Sequence, residues 1–188
     1  MRKLRPDEIQ DRRRATRFRT HPVMAVLENV RSLHNVGSMF RTADAAGLAD
    51  LALVGITATP EHHGLRKTAL GAEETVPWTY FETPARALES AREGGYRIAV
   101  LEITDRPRPV EVLSASDFPL CLVVGNEVSG VSEEAVSAAD FAIEIPQYGH
   151  KHSLNAAVAF GVAIFDLIGR WNELAVDADA THRPESGL

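Results

Sequence analysis

The chain has 188 residues, of which 45% are hydrophobic and 24% are charged, a composition typical of one soluble globular domain with a single core. No apolar run reaches the roughly 18 residues of a membrane span, and residues 1–18 lack the apolar region of a secretory signal, so we expect a cytoplasmic protein. The formal net charge is −6, yet residues 1–20 hold eight Lys or Arg against three Asp or Glu; this basic arm is either an anchor for RNA phosphates or a solvated helix.

The first half of the chain alternates apolar runs with helical patterns. Residues 7–17 predict a polar helix, and residues 23–29 and 50–55 predict buried strands. Between these strands, residues 35–47 place apolar side chains at helical spacing, with Asn35 as a candidate N-cap and Gly47 as the stop. A short helix is predicted around 65–70. Residues 75–81 predict a third strand, which Pro77 assigns to an edge or a bulge.

The alternation continues in the second half. Residues 83–95 predict an amphipathic helix, and residues 96–103, 119–125 and 140–146 predict strands. A helix capped by Ser132 separates the last two strands, and a long apolar helix with Ser153 as its candidate cap is predicted over 153–171. We therefore expect an α/β fold with a mostly parallel sheet of about six strands and helices on both faces. It divides into an arm (1–20), one domain (21–174) and a polar tail (175–188).

The loops that follow strands are the informative ones, because open α/β sheets bind ligands beyond the carboxyl ends of their strands. GNEVSGVS (125–132) is similar to a phosphate-binding P-loop, but Val131 replaces the lysine that nucleotide hydrolysis needs. Its glycines allow a ligand to approach the backbone closely, although a tight strand-to-helix turn explains them as well. Glu127 favours a ligand contact over a simple turn.

Two other loops carry polar residues in comparable positions. Ser153 and Asn155 lie where the sixth strand passes into the last helix, which is either a ligand site or an ordinary capped helix. Asn35 and Arg41 follow the first strand, and the planar guanidinium of Arg41 suits phosphate, although both residues are also compatible with a plain polar surface.

Other potentially reactive side chains are better explained structurally. The lone Cys121 lies in an apolar run, which predicts a buried thiol rather than a nucleophile. His150 and His152 have metal-ligand spacing, but no third ligand is evident nearby, so two solvated histidines are favoured. We expect no metal site.

Together, the three loops resemble the three motifs of the SPOUT superfamily, in its TrmH (SpoU) branch of RNA 2′-O-methyltransferases. The resemblance covers about residues 22–171, with matching order and spacing. The matching positions are Asn35, Gly37, Arg41, Asp44 and Gly47, then Gly125, Asn126, Glu127, Gly130 and Val131, then Ile145, Pro146, Gly149, Ser153, Leu154 and Asn155. The chain departs from the pattern at Gln147, Ala156 and Ala157, which affects pocket lining. We expect no separate N-terminal RNA-binding domain of the kind that some relatives carry, which leaves the basic arm as the candidate RNA-binding segment.

The resemblance implies a C-terminal trefoil knot, S-adenosylmethionine as methyl donor, and a homodimer with its site at the subunit interface. The implied reaction is methylation of a ribose 2′-hydroxyl in structured RNA, with tRNA favoured over rRNA. The alternatives are a non-catalytic RNA-binding module and an enzyme that methylates a base nitrogen.

Site residues follow from the same resemblance. The implied donor-binding residues are Leu101, Gly125, Asn126, Gly130, Ile145, Pro146, Ser153 and Leu154. The implied catalytic residues are Arg41, Asn35, Glu127, Ser153 and Asn155, with Arg41 acting either as general base or as a phosphate clamp. From the charge distribution we expect the RNA contacts to come from Arg12, Arg13, Arg14, Arg17 and Arg19 of the arm, together with Arg41. If the arm does not bind RNA, the alternative basic residues are Arg31, Arg41, Arg66 and Lys67.

Overall fold

A computed structural model of the chain describes residues 1–15, 19–151 and 153–181, without the side chains of 13–15 and 177–181. All the predicted strands and helices are present in this part of the chain, with shifted ends. In chain order they are α1 (Pro6–Ala15), β1 (Val23–Glu28), α2 (Leu33–Ala46), β2 (Leu51–Val54), α3 (His63–Ala69), β3 (Trp78–Phe81), α4 (Pro84–Glu93), β4 (Arg97–Leu101), β5 (Leu120–Val124), α5 (Glu133–Ala138), β6 (Phe141–Ile143) and α6 (Ala156–Thr181).

The six strands form one sheet in the order β3-β2-β1-β5-β4-β6. Every neighbouring pair is parallel, which confirms the predicted α/β sheet. β3 is an edge strand, as Pro77 indicated, because a proline cannot donate to a further neighbour. The chain runs from β1 to β2 and β3 on one side and then crosses to β4 and β5 on the other side of β1. The β1–β5 boundary is therefore the switch point at which such sheets bind ligands.

Helices cover both faces of the sheet, also as predicted. Alternate residues of β1 point to opposite faces, so Leu27 belongs to one buried cluster and Val26 to the other. The first cluster contains Phe40 of α2 and Phe160 of α6. The second contains Leu88 of α4 and Ala135 of α5. Each face therefore buries its own apolar layer, the usual arrangement of a parallel sheet.

Two predicted helix caps are wrong. Ser32, not Asn35, caps α2, because its Oγ accepts from the Asn35 backbone N–H at 3.3 Å. Ser153 does not cap α6, which begins at Ala156. There the Asn155 Oδ1 accepts from the backbone N–H groups of Ala157 and Val158 at 3.0 and 3.3 Å. A cap must reach an N–H two or three residues ahead, and Ser153 lies too early in the loop to do so.

Two other predicted helix ends are confirmed, and one helix is longer than predicted. Gly47 ends α2 in a left-handed conformation, and Ser132 caps α5, both as predicted. α6 is longer than predicted, since it continues past residue 171 to Thr181. The first part of the predicted polar tail is therefore helical.

The connection from β4 to β5 is tied to the sheet by a buried carboxylate. Asp117 is 2% exposed and accepts from Arg97 at 2.9 Å, from Arg108 at 3.0 and 3.2 Å, and from the Ser114 backbone. Pro107 forms a parallel bridge with Ala142 of β6. β6 therefore has β4 on one side and the 104–119 connection on the other.

Asp117→Asn should lower the free energy of unfolding by about 2 kcal/mol at pH 7. Burial alone raises the pKa of Asp117, but hydrogen bonds from Arg108 and Ser114 outweigh it and lower the pKa to about 2 from 3.8. A depressed carboxyl pKa stabilises the fold above the unfolded value, and this stability is lost as pH falls from about 4 towards 2. Urea denaturation of both proteins at several pH values should show the difference shrinking in acid.

The matched control is Asp105→Asn. Asp105 pairs with Arg106 at the surface, where its side chain is 85% exposed, so its loss should change stability by less than about 0.5 kcal/mol. Equal effects of the two substitutions would contradict the role given to Asp117.

Cys121 is fully buried in β5, as predicted. Burial raises the pKa of its thiol to about 12. The thiol is therefore protonated at neutral pH and does not act as a nucleophile. Within the described ranges, none of the helices has both the length and the apolar character needed to cross a membrane.

Candidate functional site

A cleft of about 470 Å³ opens beyond the carboxyl ends of β4, β5 and β6. It is lined by the loops that follow these strands and by the start of α6. Of the predicted donor-binding residues, those in the lining are Leu101, Gly125, Asn126, Gly130, Ile145, Ser153 and Leu154, while Pro146 is not among them. The cleft therefore lies at the carboxyl ends of the strands, the edge at which open α/β sheets bind ligands, and it extends from β5 away from the β1–β5 switch point.

The lining of the cleft combines apolar side chains with polar groups and carboxylates. Val124, Ile143 and Leu154 supply apolar surface, and the charged residues of the lining are Glu102, Glu127 and Glu144. No Lys or Arg is present in this lining. A cleft of this kind suits an apolar ring system that carries a positive charge better than it suits a polyphosphate.

The loop after β5 is a tight turn in which the backbone atoms of its two ends pack directly against each other. A Cβ on Gly125 would lie 2.2 Å from the backbone C and O of Gly130. Asn126 and Gly130 exchange two backbone hydrogen bonds of 3.0 Å. The Asn126 side chain is used within the protein, because it donates to the Asn29 carbonyl at 2.8 Å and accepts from Val128 and Ser129. Asn126 thus shapes the loop rather than offering its side chain to a ligand.

Glu102 also holds this loop, and its role was not predicted. Its Oε2 accepts from the Val131 backbone N–H at 3.0 Å, and its Oε1 accepts from Ile103 at 2.9 Å. Gly130 has a φ of +70°, and a Cβ there would lie 2.2 Å from Glu102 Oε2. An acidic residue directly after the apolar β4 run was the available sequence signal.

A polar cluster lies beside the cleft and joins all three motif loops. Glu127 accepts from the backbone N–H groups of Arg31 and Ser32 at 3.0 Å each and from Asn35 Nδ2 at 2.8 Å. Asn155 Nδ2 donates to Asn35 Oδ1 at 3.2 Å. Three of the five predicted catalytic residues therefore form one hydrogen-bonded cluster, although they are far apart in the chain.

The pKa of Glu127 is set by opposing effects. Burial raises it, but hydrogen bonds from the backbone of Arg31, the Asn35 side chain and the backbone of Ser32 lower it, and the net pKa lies below the usual carboxyl value. Glu127 is therefore ionised at neutral pH. A carboxylate of lowered pKa is a weak base, so its contribution is to hold the first loop against the second.

Residues 22–165 match the model of the SpoU rRNA methylase family, a range that includes β1 to β6, the cleft and the polar cluster. The chain belongs to this family.

Similar proteins include one of Bacillus subtilis (strain 168), which is assigned by name to the TrmH family of tRNA/rRNA methyltransferases. The two proteins are 31% identical over 158 residues, and the match covers 80% of this chain and 60% of that protein. The fold is similar to that of the TrmH/SpoU tRNA modifying enzyme of A. aeolicus, with a TM-score of 0.75 and 25% identity, covering 96% of this chain and 89% of that one. An AdoMet-bound rRNA methyltransferase from Sinorhizobium meliloti has a TM-score of 0.72 and 27% identity, covering 82% of this chain and 58% of that one. The chain spans about three-fifths of the length of the curated relatives it matches.

In this SpoU-family chain Arg41 is not part of the polar cluster. It lies on α2 six residues after Asn35, about 240° around the helix, and so faces a different direction. Its side chain is exposed and makes no hydrogen bond or ion pair with any described residue. Ser153 lines the cleft without a hydrogen bond to the rest of the described chain.

Some of the predicted RNA-binding arginines, and one of the two loop histidines, lie outside the part of the chain that the structure describes. Arg12 lies on α1 and Arg19 is exposed before β1, while Arg17 and the side chains of Arg13 and Arg14 are not described. His152, one of the two loop histidines, is also outside. Among the residues that are described, no three His, Cys, Asp or Glu side chains are grouped closely enough to hold a metal ion.

Proposed function

We propose that this SpoU-family chain transfers a methyl group from S-adenosylmethionine to a ribose 2′-hydroxyl of structured RNA, with tRNA favoured over rRNA. The observation that carries the proposal is the contact between the cleft and the Asn35–Glu127–Asn155 cluster, which puts a ligand site next to a fixed polar site. Support comes from two similar structures, one named as an AdoMet-bound rRNA methyltransferase and one as a tRNA modifying enzyme.

The cleft has features that fit S-adenosylmethionine. Val124, Ile143 and Leu154 offer apolar contacts to an adenine, and the tight Gly125–Gly130 turn forms part of the cleft wall. The carboxylates of Glu102 and Glu144 favour the positive charge of a sulfonium. The bound donor supplies an electrophilic methyl group; the carbon–sulfur bond breaks as the carbon–oxygen bond forms, and S-adenosylhomocysteine leaves.

The ribose hydroxyl must lose its proton as it is methylated. The motif resemblance assigns this step to Arg41, whose guanidinium is protonated in proteins. We therefore favour a clamp: Arg41 binds the neighbouring phosphate and stabilises the developing alkoxide, while the proton leaves to solvent. Asn35, which donates to ionised Glu127, and Asn155, which donates to Asn35, orient the ribose, and Ser153 contacts the donor side.

We also propose a homodimer. α6 exposes Val158, Val162 and Phe165, which have the i, i+4, i+7 spacing of one helix face, and Val158 and Phe165 are 53% and 52% exposed. A second copy on this face would bury the stripe. The second copy would also bring its Arg41 to the polar cluster of the first, which, within the described residues, has no arginine side chain from its own chain. Sedimentation of the wild type and of Phe165→Glu tests this: a wild-type monomer would contradict the proposal.

The predicted trefoil knot belongs to the same proposal. It is supported by the position of β6 between β4 and the Pro107–Arg108 segment, since Arg108 donates to the Ala142 carbonyl at 2.8 Å. α6 then passes the same connection, where Arg170 Nε donates to the Leu113 carbonyl at 2.8 Å. An experimental chain trace through 104–119 and 141–156 tests whether the C-terminal part threads the loop.

The reaction is tested with radiolabelled S-adenosylmethionine and total tRNA or rRNA. Label is expected in a dinucleotide that resists hydrolysis at the 2′ position. Label in a base-methylated nucleoside would show instead an enzyme that acts on a base nitrogen. Absence of donor binding by calorimetry would show a non-catalytic RNA-binding module. Mass-spectrometric mapping of the labelled RNA then decides between tRNA and rRNA.

Deleting residues 1–20 should weaken RNA binding without changing donor affinity. The deletion removes eight Lys or Arg and three Asp or Glu, and none of the arm residues that the structure describes lines the cleft. Each lost phosphate contact should reduce the slope of log affinity against log salt by roughly 0.9 for duplex or 0.7 for single strands. RNA titrations at several salt concentrations measure this slope. An unchanged affinity and slope would mean that the arm is a solvated or dimer-packing helix.

A further inference from the structure

The cationic side chains of the described ranges 19–151 and 153–181 fall into two groups. Six arginines form ion pairs with carboxylates: Arg86, Arg92, Arg97, Arg106, Arg108 and Arg170. The others pair with no described residue, and these are Arg19, Arg31, Arg41, Arg66, Lys67 and Lys151. In a chain of net charge −6, it needs an explanation that half of these cations have no carboxylate partner.

Three of the unpaired cations belong to segments that meet at the start of α2. Arg66 and Lys67 are on α3, and Arg31 is in the loop after β1. α3 packs closely on α2, because Thr68 Oγ1 donates to the Leu33 carbonyl at 3.3 Å. A Cβ on Gly37 would lie 2.0 Å from Thr68 Oγ1, so only glycine at this position lets α3 pack this closely on α2.

Arg31 is held at the edge of the polar cluster. Its backbone N–H donates to Glu127 at 3.0 Å, which fixes the residue next to Asn35 and Asn155. Its side chain is exposed and makes no hydrogen bond with the described chain. A cation with a fixed backbone and a free head group is well placed to bind an anion beside the cluster.

Contacts within the protein do not explain the positive charges of Arg66 and Lys67. Lys67 is exposed and makes no hydrogen bond with any described residue, and Arg66 donates only its Nε, to the Pro60 carbonyl at 2.9 Å. That leaves the outer nitrogens of Arg66 available for a phosphate. Glu61, the acidic residue nearest to α3 in the sequence, pairs with neither of them.

We propose that Arg31, Arg66 and Lys67 form a phosphate-binding face, named here the α2–α3 face, that carries the backbone of the RNA up to the polar cluster. This extends the proposed function by assigning the surface on which RNA lies. The α2–α3 face acts in addition to the basic arm, and Arg31 contacts an RNA phosphate beside the polar cluster that is distinct from the phosphate bound by Arg41.

The test compares two double variants that remove the same charge. Arg31→Ala with Lys67→Ala alters the face, and Arg86→Ala with Arg106→Ala removes two exposed, ion-paired arginines elsewhere. Binding of fluorescein-labelled total tRNA is measured by anisotropy between 50 and 200 mM salt. Loss of two phosphate contacts lowers the salt slope by roughly 1.4 to 1.8, so the change in Kd over this range should be roughly seven to twelve times smaller than for the wild type. The control variant should keep the wild-type slope.

Equal slopes for the two variants would overturn the α2–α3 face. Urea denaturation and donor calorimetry on both variants show that any difference is not a folding defect. The proposed function fails differently: a wild type that binds RNA with a steep salt slope but transfers no methyl group overturns the reaction and leaves the face standing. If the slope falls only when residues 1–20 are deleted, the arm alone binds the RNA and the face is refuted.

Discussion

Arg41→Ala is expected to abolish methyl transfer while leaving donor binding unchanged. Arg41 is exposed, makes no hydrogen bond or ion pair with the described residues, and is absent from the cleft lining, so its loss should disturb neither folding nor the donor site. Removing one group that stabilises a developing oxyanion costs roughly 10² to 10³ in rate. Single-turnover methylation measures the rate, and calorimetry with S-adenosylmethionine measures the binding.

Arg41→Lys separates charge from shape. Lysine keeps the positive charge but loses the planar fork that binds a phosphate through two hydrogen bonds. We expect severe impairment. Near-normal turnover of Arg41→Lys would show that a point charge suffices, and full activity of Arg41→Ala would remove Arg41 from the mechanism altogether.

A mixing experiment tests whether Arg41 acts across the dimer. Arg41→Ala and Glu127→Ala should each be inactive. If one subunit supplies Arg41 and the other supplies the cluster, half of a randomly exchanged mixture is mixed dimers with one intact site each, which restores about a quarter of wild-type activity. No recovery after proven subunit exchange would place Arg41 and the cluster of each working site in the same chain.

Local structure was predictable because it depends on neighbours in the chain. Ser132 was correctly identified as a cap, and Gly47 as a stop, because a cap or a left-handed residue leaves a local signature. Strands were recognisable as apolar runs between helical patterns. Where two polar residues competed for one cap, as Ser153 and Asn155 do, the pattern could not decide, because the choice depends on how the loop approaches the helix.

Long-range structure was less predictable for a physical reason. The order β3-β2-β1-β5-β4-β6 is set by which helices cover which face, and apolar runs in the sequence do not specify it. For the same reason the role of Glu102 was missed, since its partner Val131 is 29 residues away. The motifs identified Asn35, Glu127 and Asn155 separately, but only the fold shows that they are hydrogen-bonded to one another.

The motif glycines Gly125 and Gly149 look equivalent in the sequence and differ in the structure. A Cβ on Gly125 would overlap the backbone of Gly130 and Val131 at 2.2 to 2.3 Å, whereas a Cβ on Gly149 would meet nothing within 4 Å. Neither glycine has a positive φ, so the difference between them is one of space and not of backbone strain. Alanine at the two positions therefore gives a matched pair.

Gly125→Ala is expected to eliminate measurable donor binding, and Gly149→Ala to retain it. The added methyl forces the 125–130 turn apart, and backbone atoms cannot yield as a flexible side chain would, so overpacking should also lower the free energy of unfolding by about 1–3 kcal/mol. Opening the turn breaks the two Asn126–Gly130 hydrogen bonds and releases Val131 from Glu102, which changes one wall of the cleft. Calorimetry with S-adenosylmethionine and urea denaturation of both variants check this. If folded Gly125→Ala binds the donor as tightly as Gly149→Ala does, the turn after β5 is not part of the donor site, and the donor must be sought away from the ends of β4 to β6.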